Sequence, residues 1–255
     1  MTIPFDVPMF AIAAAVVFGS YVLFGITAFG AAFFTVPILS HFLPPEFVLP
    51  MCVLLDVSAS LALGVRVSRE ADWTELKWMV PLSLAGAVAG VTLLVALPRQ
   101  ATIAGIGTFL VVYSIYSLRQ GEATRMVSRA WAPVAGLVGG AFGTLFGIGA
   151  PPYAIYLAHR LRDKLAYRAT LSNMVIFSVS IRALVFAAVG LMLADRLIGF
   201  AMLVPFCLAG LWLGNRIHGS ISRTGLLRVV SALLLLIGIS LLARALTPSL
   251  ALPLR

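Results

Sequence analysis

Charge, cysteine and long polar stretches are all scarce in this 255-residue chain. Only 11% of its residues are charged and only nine are acidic; three histidines and two cysteines complete the reactive inventory. No polar stretch is much longer than about ten residues, so there is no room for a soluble domain between the apolar runs. The three histidines, His41, His159 and His218, stand at the ends of apolar segments, and no HExxH occurs. That excludes the nucleophile-and-base or metal chemistry of an intramembrane hydrolase. Cys52 and Cys207 lie inside apolar segments without metal-ligand spacing and read as small packing residues. No enzyme, metal or cofactor is expected.

Apolar residues, by contrast, make up 61% of the chain, and the mean hydropathy is +1.06. Runs of roughly 17–25 apolar residues recur along nearly the whole length, the pattern of a polytopic helical membrane protein. The segments lack the alternation that a membrane barrel needs. Met1 to Pro8 carries Asp6 and no basic residue, so the first apolar stretch is expected to be retained rather than cleaved. The coarse segments are 9–27, 31–43, 46–66, 77–97, 101–118, 131–147, 150–159, 167–192, 197–215 and 225–246.

Two diverged copies of one unit meet near residue 120. Pro81, Gly86 and Gly90 recur as Pro205, Gly210 and Gly214 at an offset of 124 residues, and the same offset carries Arg99 onto Arg223. Each copy holds a glycine-rich apolar stretch upstream, Phe24 to Gly30 and Phe142 to Gly149. The net charge of +9 would suggest nucleic acid for a soluble protein, but here the basic residues report topology. If 9–27/31–43 and 131–147/150–159 are hairpins and the N-terminus is outside, 13 of the 18 basic residues fall on the inner side and four outside, with Arg182 inside a segment. Single crossings would split them almost evenly. Each copy then crosses an odd number of times, so the second runs opposite to the first. The expected fold is an all-α polytopic membrane protein of two inverted-topology repeats, residues 1–120 and 121–255, each with a broken helical hairpin plus three spanning helices.

Matching helix breaks in duplicated halves mark a secondary transporter and its binding site. The breaks are read as Gly25 to Ala32 and Gly147 to Pro152, with Pro151-Pro152 suited to the first turn of a new helix. Short helices starting near Ala31 and Ala150 would point their N-termini at a common midplane space and make it an anion site. Thr27, Phe29, Gly30, Ala31, Ile148, Gly149, Ala150 and Pro151 are the residues placed there. Asp56 and Arg182 are the ionisable residues that sit mid-segment, at equivalent positions if Gly64 matches Gly190. They form either a structural ion pair or a working pair in which Arg182 binds an anion and Asp56 carries a coupling proton. Asn173 and Ser172, a turn or two before Arg182, are expected to add neutral hydrogen bonds. Gly86, Gly90, Gly210 and Gly214 read as close-packing positions. Trp73, Trp78 and Trp131 read as interface anchors and Trp212 as a packing residue.

The stretch from Gly25-Ile-Thr-Ala-Phe-Gly to Pro37-Ile-Leu resembles the first signature of the sulfite exporter/anion permease family (TauE/SafE type). Gly139-Gly-Ala-Phe-Gly-Thr-Leu-Phe-Gly-Ile-Gly-Ala-Pro-Pro-Tyr153, continued by Asp163-Lys164 and Tyr167-Arg168-Ala169-Thr170, is similar to its second. Asp72-Trp73 and Arg182 extend the likeness, and Ala28, Ala31 and Ala150 depart from it where glycine is common. The resemblance implies a plasma-membrane exporter of small anions such as sulfite, thiosulfate or sulfoacetate. The residues leave open an anion channel or an uptake permease for small carboxylates and sulfonates. The expected partners are that anion and the lipid bilayer, with no nucleic acid; self-association is left open.

Overall fold

The computed structural model describes residues 5–27, 31–62, 70–119, 126–217 and 223–246, with backbone alone for Thr27 and 223–230. Among the described residues there is no strand. Ten α-helices follow the apolar runs: α1 (Val7–Thr27), α2 (Ala32–Leu39), α3 (Pro45–Ala62), α4 (Trp73–Ala96), α5 (Arg99–Arg119), α6 (Ala132–Phe146), α7 (Ala150–Arg160), α8 (Lys164–Ala188), α9 (Ala194–Ile217) and α10 (Arg223–Leu246). Six of them, α1, α3, α4, α5, α8 and α9, are long and apolar enough to cross a bilayer. The helices α2, α6 and α7 are not: at 1.5 Å per residue they reach about 12, 22 and 16 Å, short of a hydrocarbon core of about 30 Å.

Local chemistry sets several helix starts. Asp72 accepts hydrogen bonds from the backbone N–H groups of Thr74 and Glu75 and begins α4. Asp163 accepts from Ala166 N–H and begins α8. Both use a carboxylate to take up N–H groups that no helical carbonyl can reach.

Glycine decides which helices lie side by side. α4 packs along α6 and α1 along α9, α5 lies against α10, and α3 and α8 meet each other at the centre while touching α9 and α4 respectively. A Cβ on Gly86 would stand 2.0 Å from the Leu137 carbonyl oxygen, and one on Gly210 would stand 2.4 Å from that of Phe18. The small-residue spacing therefore serves backbone-to-backbone packing, as its pattern suggests. Trp212 does not pack as expected. It is 62% exposed on α9, with Arg216 over its ring at 5.3 Å, because α9 turns its glycine face, not its Trp212 face, to α1.

The second expected break forms a hairpin. Val127 N–H donates to the His159 carbonyl at 3.1 Å, so the chain entering α6 and the chain leaving α7 are neighbours. Glu75 closes this base. Its fully buried carboxylate accepts from Arg129 Nε (2.9 Å), Arg160 Nε (3.0 Å) and the Tyr156 hydroxyl, tying both ends of the hairpin to the first turn of α4.

Both breaks are narrower than the sequence suggests. Gly25 lies within α1, where it lets the helix approach Leu211 and Asn215 of α9, and α1 continues to Thr27. At the second expected break α6 runs through Gly143 and is capped by Gly147, whose φ of 77° is left-handed; α7 begins at Ala150 and includes Pro151 and Pro152.

Candidate functional site

Arg182 is positioned by the end of α6. Its Nη1 donates to the Gly143 carbonyl at 2.9 Å and reaches the Gly147 carbonyl at 3.4 Å. These are the unpartnered oxygens of a helix C-terminus, where the macrodipole is negative and a cation is favoured. Gly143 makes the approach feasible, since a Cβ there would lie 3.2 Å from Arg182 Cδ and 3.4 Å from Gly149 Cα.

Asp56 comes from α3 on the opposite side. Its Oδ1 accepts the Tyr21 hydroxyl at 2.8 Å, and its Oδ2 lies 3.7 Å from Arg182 Nη2. That separation is an ion pair but too long for a hydrogen bond. At an effective dielectric near 20 the attraction is about 4 kcal/mol, no more than the cost of desolvating two ions at several kcal/mol each. Stability alone therefore gives no reason to keep the pair. Arg182 also holds a buried Nε with no hydrogen-bond partner among the described residues.

These groups face a cavity of about 50 Å³. Ala31, Ala32 and Phe33 of the α2 start line it, with Ile148, Gly149 and Ala150 of the α7 start, Asp56 and Ser60 from α3, and Ser178 and Arg182 from α8. Neither helix start has a side-chain cap. The two starts are chemically unequal. Helix α2 keeps the first-turn N–H groups of Ala32 and Phe33, whereas Pro151 and Pro152 remove two from α7 and leave those of Gly149 and Ala150.

Six of the residues expected at the site meet there: Ala31, Asp56, Ile148, Gly149, Ala150 and Arg182. Pro151 is buried in the first turn of α7 and is not on the cavity wall. Asn173 is fully buried but lies more than two turns of α8 from Arg182, and Ser172 is exposed; neither lines the cavity. Ser178, one turn before Arg182, stands where those donors were expected, because i and i+4 share a helix face. Phe29, Gly30 and the Thr27 side chain lie outside the described residues.

Sequence reasoning missed Tyr21, Tyr153 and Ser178. The Tyr153 hydroxyl stands 2.8 Å from Ser83 Oγ and 3.2 Å from Ser178 Oγ. A tyrosine that follows a Pro-Pro pair in an apolar helix was the available signal, and it does not separate packing from ligand contact. Cys52 and Cys207 are buried, with the Cys207 thiol 3.8 Å from the Leu55 carbonyl, in keeping with packing roles.

With this geometry in place, comparison with known proteins is specific. The family profile described as sulfite exporter TauE/SafE matches residues 12–241. A Comamonas testosteroni protein named "Probable inner membrane transporter protein TsaS" is 27% identical over 194 residues, covering 75% of this chain and 81% of the relative. No solved structure matches.

Proposed function

The chain belongs to the sulfite exporter TauE/SafE family, and from that premise we propose that it is a secondary transporter exporting a small sulfur oxyanion or organosulfonate, such as sulfite or sulfoacetate. It is a multi-pass membrane transporter rather than an enzyme, and the bacterial inner membrane is its proposed location. The anion sits against Arg182, between the starts of α2 and α7. The observation that carries this reading is Arg182, whose Nε has no partner among the described residues, in the wall of a cavity lined by both helix starts. A buried donor without an acceptor is unfavourable, and an arriving oxyanion removes that cost.

Cavity size supports a small ligand. At about 10–15 Å³ per water, 50 Å³ holds about three to five waters, close to the four heavy atoms of sulfite. The Asp56–Arg182 pair supports proton coupling as part of this reading: an anion that engages Arg182 competes with Asp56 for the cation, while Asp56 keeps the Tyr21 hydroxyl. Alternating access would use the two repeats, 1–120 and 121–255, as inverted halves. The exchange of packing partners, α1 on α9 answering α4 on α6, supports that reading.

The test is a thermal-unfolding titration of the purified protein with sulfite, thiosulfate and sulfoacetate. One of them should raise the unfolding temperature saturably, and Arg182→Gln should remove the response. Proteoliposome efflux should saturate and show counterflow; conductance without saturation would make the protein a channel instead.

A further inference from the structure

Three buried hydroxyls form a chain across three helices and end at the cavity. Tyr153 of α7 links Ser83 of α4 to Ser178 of α8, through contacts of 2.8 and 3.2 Å. Its ring lies on α6 at Gly139, where a Cβ would come within 2.2 Å of it, so packing fixes the place of its hydroxyl. Ser83 is fully buried and off the cavity, while Tyr153 and Ser178, both buried, line it.

A hydroxyl carries one donor proton, so three hydroxyls joined by two hydrogen bonds leave one proton unused; a phenol is a better donor and a poorer acceptor than an alcohol, so Tyr153 donates one of the two bonds and the spare proton falls on a serine at one end. Three buried hydroxyls in these helices return their proton to the carbonyl four residues earlier: Thr35 to Ala31, Thr144 to Gly140 and Thr170 to Ala166. Ser83 and Ser178 make no such bond among the described residues. If the chain ran from Ser178 through Tyr153 to Ser83, the unused proton would be sealed on Ser83 between α4 and α6. In the opposite sense Ser83 donates to Tyr153, Tyr153 to Ser178, and the free O–H of Ser178 faces the cavity. A buried donor without an acceptor is the costlier outcome, so the chain polarises toward the cavity, each bond strengthening the next.

We infer that Ser178 is an anion ligand in the transport site and that Tyr153 and Ser83 are positioning residues that direct its hydroxyl. Ser178 adds one neutral, directional donor on the same face of α8 as Arg182. The pair recognises an anion that offers two acceptor oxygens, one to the guanidinium and one to the hydroxyl. This rests on the anion reading of the cavity given above.

The experiment is an anaerobic sulfite titration of the purified full-length protein, with Ser178→Ala, Ser178→Thr, Tyr153→Phe, the Ser178→Ala/Tyr153→Phe pair and Arg182→Gln alongside. Ser178→Ala should weaken sulfite binding about tenfold, and Ser178→Thr, which keeps the hydroxyl, should restore it to within about threefold. Tyr153 also lines the cavity, so the double variant separates the two roles: as a positioning residue, Tyr153→Phe should weaken binding about threefold in the native background and add little to Ser178→Ala. Tyr153→Phe keeps the ring, so it tests the chain even where Ser178→Ala lowers the unliganded unfolding temperature. Native affinity in Ser178→Ala, with binding lost in Arg182→Gln, overturns this inference alone. So does full additivity of the two changes, for the positioning role of Tyr153. Absence of any saturable response in the unaltered protein overturns the anion reading and this inference with it.

Discussion

Arg182 Nη2 stands 3.7 Å from Asp56 Oδ2, while each residue is held by something else: Arg182 by the Gly143 carbonyl, Asp56 by the Tyr21 hydroxyl. A closed charge-assisted contact would be about 2.7–2.9 Å. The two ions are thus fixed apart by separate supports, and among the described residues the guanidinium Nε has no acceptor.

That arrangement separates a working pair from a brace. Arg182→Gln should abolish anion binding, Asp56→Asn should keep binding but lose the pH dependence of transport, and the double variant should be no better than Arg182→Gln. A brace behaves oppositely: each single change leaves one buried charge unpaired, and the double change restores stability and transport together. Proteoliposome flux against pH for the three variants decides between them, and recovery in the double variant would end the functional assignment.

Gly149 tests the hairpin tip. A Cβ there would stand 2.5 Å from the Gly139 carbonyl oxygen and 3.0 Å from Gly143 Cα, both backbone atoms of α6. Gly149→Ala should therefore destabilise by about 1–3 kcal/mol through overpacking, seen as a lower unfolding temperature. From sequence alone a bulky residue at 149 looks tolerable to the fold; the contact with α6 makes it a folding defect. Ala150→Leu, at the cavity wall, is the better block: it should stop flux while the protein still folds.

Orientation is tested by labelling. Positive-side counting places the α4–α5 connection outside and the α7–α8 connection inside. Gln100 and Arg162 are exposed, and the native Cys52 and Cys207 are buried, so background should be low. Gln100→Cys should react with an impermeant maleimide on intact cells, and Arg162→Cys only after permeabilisation. The reverse pattern would invert the assignment.

Glu75 should be the most sensitive acid outside the cavity. Glu75→Ala leaves Arg129, Arg160 and Tyr156 without their shared acceptor at the hairpin base. The expected cost is about 2–3 kcal/mol, below the ~3–5 of a fully buried pair because Arg129 is 45% exposed and Arg160 24%. Denaturation in detergent measures it; a loss under about 0.5 kcal/mol would make the cluster a surface feature.

Asp56 and Arg182 were legible in the sequence because ions are rare and costly in hydrocarbon, and any that persist there need a reason. Gly86 and Gly210 were legible because duplicated spacing is hard to obtain by chance. Glu75 was not: a carboxylate in the first turn of a helix is ordinary, and only the return of α7 brings Arg160 to it. Gly25 was misread as a break because a glycine that relieves a clash and a glycine that ends a helix look alike in one dimension; the backbone of α9 beside it tells them apart.

By itself the sequence determined that the chain is helical and membrane-spanning, where its helices run, and that Asp56 and Arg182 lie within its apolar runs. Those follow from solvation, which each segment meets alone: backbone groups must bond within the helix, and charges in an apolar run must be accounted for. Which hydroxyls join the cavity was decided by tertiary structure. A serine such as Ser60 can return its proton to its own helix, as it does to the Asp56 carbonyl, so its chemistry is hidden from sequence. Ser178 is directed elsewhere because α7 brings Tyr153 across the Gly139 gap to meet it, an arrangement fixed by packing between helices far apart in the chain.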